Sequence, residues 1–287
     1  MVQIKAVLII LALAGVSAVL IPIQWLAIKT GMPAQRLLPM VWHRIAAKLV
    51  GIRVRQVGAP ASGRPLLIAA NHTSWVDIPV LGSLLPLSFI AKSEVAGWPV
   101  FGLFAKLQRS VFVNRSKRSD TGRVNGEIAS RMADGDAMVL FAEGTSNDGN
   151  TVLPFRSALL GAATKLDDAP FDTVVVQPLS IAYASLHGLP MGRQFRPHVA
   201  WYGDMELAGH LWGVFREGAV DVVVTWGEPI LVNGQADRKA LTRQLEQEVR
   251  AMTLSVLRGN ASEASERPEI PESGLFSNAQ KTANAGA

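Results

Sequence analysis

His72 and Asp77 are residues of the right types, at a suitable spacing, to transfer a proton. They follow an apolar run, residues 65–70, whose length and composition predict a buried strand. On one straight helix, side chains five residues apart point about 140° away from each other. If His72 lies in a loop and Asp77 in the first helical turn, the carboxylate can instead accept a hydrogen bond from one ring nitrogen. The other ring nitrogen would then be a general base for a substrate hydroxyl.

A structural interpretation of the same residues is also open. Ser74 is a favourable N-cap, and Asp77 falls at the third helical position, which is a capping-box arrangement. In this interpretation Asp77 only caps a helix and His72 is a polar loop residue. For these residues alone the structural interpretation would be favoured, so the catalytic hypothesis depends on a second segment.

That second segment is residues 139–146. An apolar strand is followed by Glu143, Gly144 and Thr145. A carboxylate, a bare backbone and a hydroxyl therefore follow the carboxyl end of a strand, where α/β sheets usually bind ligands. Alone, this segment would be an ordinary strand-to-turn transition. Together, the two segments favour a reactive site.

The order of four motifs resembles that of the glycerolipid acyltransferase family, which includes the 1-acylglycerol-3-phosphate acyltransferases. His72 and Asp77 match its motif of His, four residues and Asp. Three more blocks match in part, namely Phe141 with Glu143 to Thr145, Gly102 with Val111 to Arg115, and Val176 to Pro178. The similarity extends over roughly residues 66–229. Four blocks in this order and spacing are far more specific than any one motif.

The resemblance implies a role for each matching residue. His72 would be the general base toward the acceptor hydroxyl, and Asp77 would orient and stabilise it. The acceptor would be held by Arg115, at its anionic headgroup, and by Glu143, Gly144 and Thr145. The implied enzyme transfers a fatty acyl chain from acyl carrier protein or coenzyme A to the hydroxyl of 1-acyl-sn-glycerol-3-phosphate, giving phosphatidic acid. No cofactor and no metal are implied.

Two departures from the family pattern leave the acceptor open. Ala142 replaces the usual proline. Ser146 stands where many members carry an arginine thought to bind phosphate, and arginine is suited to bidentate phosphate contacts. Arg156 is a candidate for the missing charge, as are Arg109 and Lys92. The case for a phosphate-headed acceptor is therefore weakened.

Residues 146–157 instead resemble the bacterial branch that acylates lyso-ornithine lipid, so synthesis of ornithine lipid is the alternative function. An alternative of a different class is a non-catalytic membrane lipid-binding protein, against which the intact His72 and Asp77 argue. A hydrolase is disfavoured because the sequence has no Gly-x-Ser-x-Gly elbow.

The composition of the chain excludes some kinds of site and favours some classes of binding partner. The chain has 287 residues, a net charge of +5 and no cysteine. The lack of cysteine excludes disulfides, thiolate metal sites and a cysteine nucleophile. A basic body beside an apolar segment favours an anionic membrane surface as partner. Nucleic acid is disfavoured because there is no basic stripe interleaved with aromatic residues.

The first 50 residues are predicted to form a membrane-associated helical hairpin. Residues 6–28 carry no charge and are long enough to cross a bilayer as a helix. Three interpretations compete, namely a membrane span, a helix buried partway into one leaflet, and a cleaved signal peptide. Residues 35–50 are apolar with interspersed basic residues, which is typical of an interfacial helix. The excess of Lys and Arg after the first helix predicts the cell inner membrane, with the catalytic domain on the cytoplasmic side.

The rest of the pattern predicts an α/β domain with a central mixed sheet flanked by helices. Strands are predicted at residues 65–70, 111–113, 137–141, 174–182 and 220–226, and helices at about 121–132 and 238–257. This acyltransferase catalytic domain would extend over residues 51–258. Residues 259–287 are predicted to be a disordered tail because they contain almost no core residues.

Overall fold

The computed structural model describes residues 2–114, 121–164 and 169–259, and it has the predicted α/β architecture of a central mixed sheet flanked by helices. The strands are β1 (Ile52–Val57), β2 (Leu66–Ala70), β3 (Leu87–Lys92), β4 (Val111–Val113), β5 (Ala137–Phe141), β6 (Thr173–Leu186), β7 (Leu189–Pro190), β8 (Val220–Trp226) and β9 (Ile230–Asn233). The helices are α1 (Val2–Thr30), α2 (Ala34–Val50), α3 (Asp77–Gly82), α4 (Phe101–Leu107), α5 (Thr121–Ala133), α6 (Gly161–Thr164), α7 (Leu207–Glu217) and α8 (Arg238–Leu257).

The sheet is parallel at its centre and antiparallel toward one side. Its strand order is β1-β8-β6-β2-β5-β3-β4, and β7 and β9 pair with β6. The strands from β2 to β6 run in one direction, whereas β8 and β1 run in the opposite one. We call the end of the sheet where β2 and β5 finish the carboxyl end, and the opposite end the amino end. Ala70 pairs with Phe141 at the carboxyl end, so the two motif segments leave the sheet side by side.

Strand β2 is the centre of the core. All five of its residues are buried, because strands cover both of its sides and helices cover both faces of the sheet. Leu66, Ile68 and Ala70 pack on the face that carries α3 and α7. Leu67 and Ala69 point to the other face, which carries α5 and α8. A rigid three-layer body therefore supports the loops at the carboxyl end.

The N-terminal hairpin packs against this body along its length. Lys5 Nζ donates to the Glu217 carbonyl oxygen at 3.1 Å, and Gln24 Nε2 donates to the Leu107 carbonyl oxygen at 2.7 Å. Gln24 lies 19 positions after Lys5, which is about 28 Å along the helix axis. Both ends of α1 therefore contact the domain, and Ala6 on its inner face is buried in the core.

The outer face of the hairpin is apolar and exposed. Seven large apolar side chains in the described part of α1 are more than half exposed, namely Val2, Ile4, Leu8, Leu11, Val19, Trp25 and Leu26. By length and composition alone, α1 could cross a membrane. Helix α2 has a buried face, which includes Ala46 and Ala47, and an exposed face, which includes Leu37 and Val41. The interfacial location of residues 35–50 stays a prediction for the exposed face, whereas the buried face packs against the domain.

Several elements were not predicted. Strands β1, β3, β7 and β9 were missed, and β6 is longer than the predicted 174–182. In β1, Val54 packs against the core while Arg53 and Arg55 are exposed, so the charged residues obscured an edge strand. Arg115 and residues 260–287 of the predicted tail lie outside the described residues.

Candidate active site

Asn71 anchors the loop between β2 and α3. Its side chain donates to the Ile181 carbonyl oxygen at 2.9 Å and accepts from the Ile181 amide at 2.8 Å. Helix α3 begins at Asp77, later than a Ser74 cap implies. The Asp77 carboxylate nevertheless accepts from the Ser74 amide at 3.0 Å, which is one half of the predicted capping box. The loop is therefore fixed at both of its ends.

His72 and Asp77 meet at the carboxyl end of the sheet. His72 Nδ1 lies 2.8 Å from Asp77 Oδ2. Because an ionised carboxylate only accepts hydrogen bonds, Nδ1 carries the proton and Nε2 carries the lone pair. The His72 side chain is 20% exposed, and its Nε2 makes no hydrogen bond to any residue that the structure describes. The predicted geometry is present, and the catalytic role stays a prediction.

Asp77 is completely enclosed by donors. Its Oδ2 also accepts from the Thr73 amide at 2.7 Å, and its Oδ1 accepts from the Tyr183 hydroxyl at 2.6 Å. Burial, together with the charge of Asp77, raises the pKa of Tyr183 well above its ordinary value. Tyr183 therefore stays a donor. Tyr183 was not predicted from the sequence, although its phenol immediately follows the apolar run 174–182.

An aromatic stack fixes the plane of the histidine ring. The ring of Phe141 lies parallel to that of His72, with 4.0 Å between centroids and 16° between planes. Phe89 in turn stacks on Phe141, with 6.0 Å between the two ring centroids. Since the carboxylate fixes one ring nitrogen and the stack fixes the ring plane, Nε2 is aimed in a defined direction.

The buried Glu143 carboxylate links the two motifs through hydrogen bonds. Its Oε1 accepts from the His72 amide at 3.0 Å, and its Oε2 accepts from Asn147 Nδ2 at 2.5 Å and from the Leu153 amide at 3.2 Å. The side chain is only 1% exposed, and burial raises its pKa to about 7. Its carboxylate is occupied by protein donors, so it holds the loops of the two motifs together, and its role in an acceptor pocket stays a prediction.

Three further predicted site residues lie next to Glu143, namely Gly144, Thr145 and Arg156. Gly144 has a φ of +75°, a left-handed conformation that favours glycine. Thr145 is exposed beside it. Arg156 is also exposed, and its Nε donates to the Glu143 carbonyl oxygen at 3.1 Å. The terminal nitrogens of Arg156 contact no partner within the described ranges, so a cation is held next to the motif and is open to solvent.

The other candidate cations are placed differently. Arg109 lies 3.0 Å from Asp136, which precedes β5 at the amino end of the sheet, so it cannot supply charge to this site. Lys92 ends β3 and is exposed at the carboxyl end. Of the candidates in the described part of the chain, Arg156 is tied most directly to the motifs.

A turn at residues 147–150, which was not predicted from the sequence, packs against the loop that carries His72. The Asn147 amide donates to the His72 carbonyl oxygen at 3.1 Å. A Cβ on Gly149 would lie 2.8 Å from the Thr73 side chain, so only glycine fits there. Arg196 donates to Asn150, and the side chain of Arg196 is buried. The turn is thus fixed to the loop that carries His72.

These groups together can activate a hydroxyl. Nε2 is a positioned base with a buried partner that stabilises the imidazolium formed when it accepts a proton. Beside it, the cation of Arg156 is exposed to solvent. The arrangement suits direct attack by a substrate hydroxyl on an activated acyl group, with no enzyme nucleophile.

Known proteins are similar to this chain in both sequence and fold. The profile of the family described as Acyltransferase matches residues 51–182. The lyso-ornithine lipid O-acyltransferase of Brucella abortus is 52% identical over 94% of this chain and 98% of that protein. This chain belongs to the acyltransferase family.

Two further comparisons describe this acyltransferase. A 1-acyl-sn-glycerol-3-phosphate acyltransferase of Neisseria gonorrhoeae is 31% identical over 72% of this chain and 76% of that protein. The crystal structure of the 1-acyl-sn-glycerophosphate acyltransferase of Thermotoga maritima is 21% identical and superposes with a TM-score of 0.58, covering 94% of this chain and all of that one. The family and the fold predicted from the motifs are therefore confirmed.

Proposed function

We propose that this acyltransferase transfers a fatty acyl chain from an acyl thioester to the hydroxyl of a lyso-ornithine lipid. Acyl transfer to a lysolipid is the activity supported by its relatives. The observation that carries the chemistry is the hydrogen bond of His72 Nδ1 to buried Asp77, which leaves Nε2 open at the carboxyl end.

The reaction is one nucleophilic substitution. The acceptor hydroxyl oxygen attacks the thioester carbonyl carbon while His72 Nε2 takes the hydroxyl proton. The resulting tetrahedral intermediate collapses, the carbon–sulfur bond breaks, and the proton passes from Nε2 to the leaving thiolate. An ester and a free thiol result. Asp77 stays ionised and stabilises the imidazolium during the transfer.

Two observations support the ornithine-headed acceptor. The relative in Brucella that shares 52% identity over nearly the whole chain carries that name. Ser146 replaces an arginine suited to phosphate, and ornithine has a carboxylate and an ammonium group but no phosphate. Arg156, exposed beside Glu143, would bind the ornithine carboxylate, with Arg115 and Thr145 as further pocket residues.

The second candidate acceptor is 1-acyl-sn-glycerol-3-phosphate, the leading prediction from the sequence. It is favoured by the 31% identity to the Neisseria enzyme of that name. Arg156 could hold its phosphate as it would hold a carboxylate. The donor, in either case, is a thioester of acyl carrier protein or coenzyme A.

The hairpin would place this chemistry at a membrane. An apolar α1 with an exposed outer face, in a protein whose relatives act on membrane lipids, indicates membrane association. We assign residues 1–50 to the membrane, residues 51–258 to catalysis, and the body to the cytoplasmic side of the inner membrane, because basic residues follow α1.

Product analysis tests the proposal. The purified full chain is incubated with acyl carrier protein or coenzyme A thioesters and with each lysolipid, and products are identified by mass. We expect ornithine lipid to form with the higher kcat/KM. Formation of phosphatidic acid alone would establish the second acceptor. Free fatty acid without acceptor would indicate a hydrolase, and an intact thioester would indicate a binding protein.

A further inference from the structure

A cationic cavity lies at the amino end of the sheet, on the far side of the domain from His72. It has a volume of about 320 Å³ and lies between the start of α2 and the segments that precede β2, β3, β4 and β5. Its ionisable lining consists of three arginines and one carboxylate, namely Arg36, Arg64, Arg109 and Asp136. The lining therefore has two positive charges in excess.

Two of these arginines share the same carboxylate. Arg36 Nε lies 2.7 Å from Asp136 Oδ1, and Arg109 Nη1 lies 3.0 Å from Asp136 Oδ2. Asp136 is buried, with 3% of its side chain exposed. One arginine would neutralise this carboxylate, so the second cation is not required for that purpose.

Arg64 adds a third cation, and none of the residues that the structure describes pairs a carboxylate with it. Its Nη1 donates to the carbonyl oxygens of Ala61 and Gly63, at 3.0 and 2.8 Å. Burial lowers the pKa of Arg64 from its ordinary value, so its charge is partly desolvated. These contacts fix the guanidinium in place and leave its other N–H groups for a ligand. An anion in the cavity would receive charge-assisted hydrogen bonds from a preset group.

The apolar hairpin forms part of the same cavity. Pro33 and Leu37 line it, at the turn between α1 and α2. Leu37 and the neighbouring Met32 are about half exposed, so the cavity opens beside side chains that face away from the body. A ligand with a phosphate head and apolar chains would match both surfaces.

We propose that this cavity binds the phosphate of an anionic membrane phospholipid, separately from the acyl acceptor. The three arginines hold the headgroup, and its chains lie along the turn between α1 and α2. Such a site would fix the amino end of the sheet to the bilayer. The proposal rests on the membrane association of the hairpin and does not depend on which lysolipid is acylated.

Calorimetric titration tests this site. The full chain, in a non-ionic detergent, is titrated with dihexanoyl-phosphatidylglycerol, with dihexanoyl-phosphatidylcholine as the neutral lipid and with inorganic phosphate. We expect saturable binding of one phosphatidylglycerol, weakened about tenfold or more in Arg64→Gln, since hydrogen bonds to charged groups contribute strongly. The matched control is Arg55→Gln, because exposed Arg55 lies on β1 and does not line the cavity. Melting temperatures check that both variants fold.

Four outcomes would overturn the proposal. They are equal binding of the neutral lipid, equal loss in Arg64→Gln and Arg55→Gln, inorganic phosphate binding as tightly as the lipid, and loss of binding in Arg156→Gln but not in Arg64→Gln. The third would assign the cavity to free phosphate. The last would assign the lipid to the carboxyl end of the sheet.

Discussion

The Tyr183 hydroxyl donates to Asp77 Oδ1 at 2.6 Å from a strand 106 residues farther along the chain. Asp77 is thereby held on one oxygen by the phenol and on the other by His72 and two backbone amides. Within the described part of the chain, the phenol hydrogen-bonds to Asp77 and not to His72. It acts through Asp77, so its effect on turnover can be separated from any effect on binding.

Tyr183→Phe is expected to lower kcat while both KM values stay nearly unchanged. A hydrogen bond to a charged group contributes about 1.5–3 kcal/mol, so kcat should fall by about tenfold or more. Tyr202→Phe, at the other tyrosine of the chain, is the control. An unchanged kcat in Tyr183→Phe would mean that Tyr183 only packs in the core.

His72→Ala is expected to remove activity and preserve the fold. General-base catalysis contributes roughly 10²–10⁴-fold, and His72 lies in a loop with part of its ring exposed. Steady-state rates and melting curves measure the two effects. His198→Ala, at an exposed histidine, is the control. Turnover near that of the wild type would exclude His72 as the base.

Asp77→Asn is expected to impair both turnover and stability. The carboxylate accepts four hydrogen bonds, whereas an amide offers one acceptor oxygen and places N–H groups against donors. A drop in melting temperature with normal kcat in the remaining folded protein would show that Asp77 only caps α3.

Glu143 should make stability depend on pH. Its ordinary pKa of 4.5 is raised to about 7 by burial, so the folded state favours the protonated acid. Its contribution to stability is complete below about pH 4.5 and is lost as pH rises through about 7, by up to roughly 3 kcal/mol. Glu143→Gln should reduce the difference in urea midpoint between pH 5 and pH 8. Exposed Glu94→Gln should keep the wild-type difference. Equal differences in both variants would contradict the role of burial.

The outer face of α1 should determine membrane binding. Leu11→Lys changes a side chain that is 61% exposed, and a lysine in hydrocarbon costs about 2.5–3.5 kcal/mol. We expect vesicle partitioning to fall by about two orders of magnitude, with the melting temperature preserved. Leu231→Lys makes the same change at a 63% exposed leucine on β9, far along the chain. Equal losses in both variants would mean that the hairpin has no special role in membrane binding.

Ser146→Arg should shift the choice of acceptor toward phosphate. An arginine restores a bidentate phosphate partner at the position that follows Thr145. The measurement is the ratio of kcat/KM for 1-acyl-sn-glycerol-3-phosphate and for lyso-ornithine lipid. A ratio equal to that of the wild type would mean that Ser146 does not select the headgroup.

The meeting of His72 and Asp77 was predictable because helix geometry excludes their convergence on one straight helix, and a preceding apolar run places His72 in a loop. The placement of Glu143 was also predictable, since both motifs follow strands that end at the same side of the sheet. Its inward orientation was not, because a sequence does not show which donors a carboxylate will meet.

The missed residues depend on contacts between distant segments. Tyr183 reaches Asp77 only because β6 continues past the end of β2, and the run 174–182 did not show that extension. Gly149 is required by the nearness of Thr73, which lies 76 positions earlier in the chain. Strand β1 was hidden by its arginines, since edge strands tolerate charge on one face.

Because Asn71 is hydrogen-bonded to Ile181 of β6, the geometry of the candidate active site depends on the assembly of the sheet. Strand β6 supplies both that hydrogen-bond partner and the Tyr183 phenol, while β5 leads into Glu143. Detachment of β6 would release the loop and leave Asp77 without its phenol, even if β2 and β5 stayed paired. A chain whose β6 has not yet paired would therefore hold neither the loop of His72 nor the carboxylate of Asp77 in this arrangement, so the site forms only when the sheet is complete.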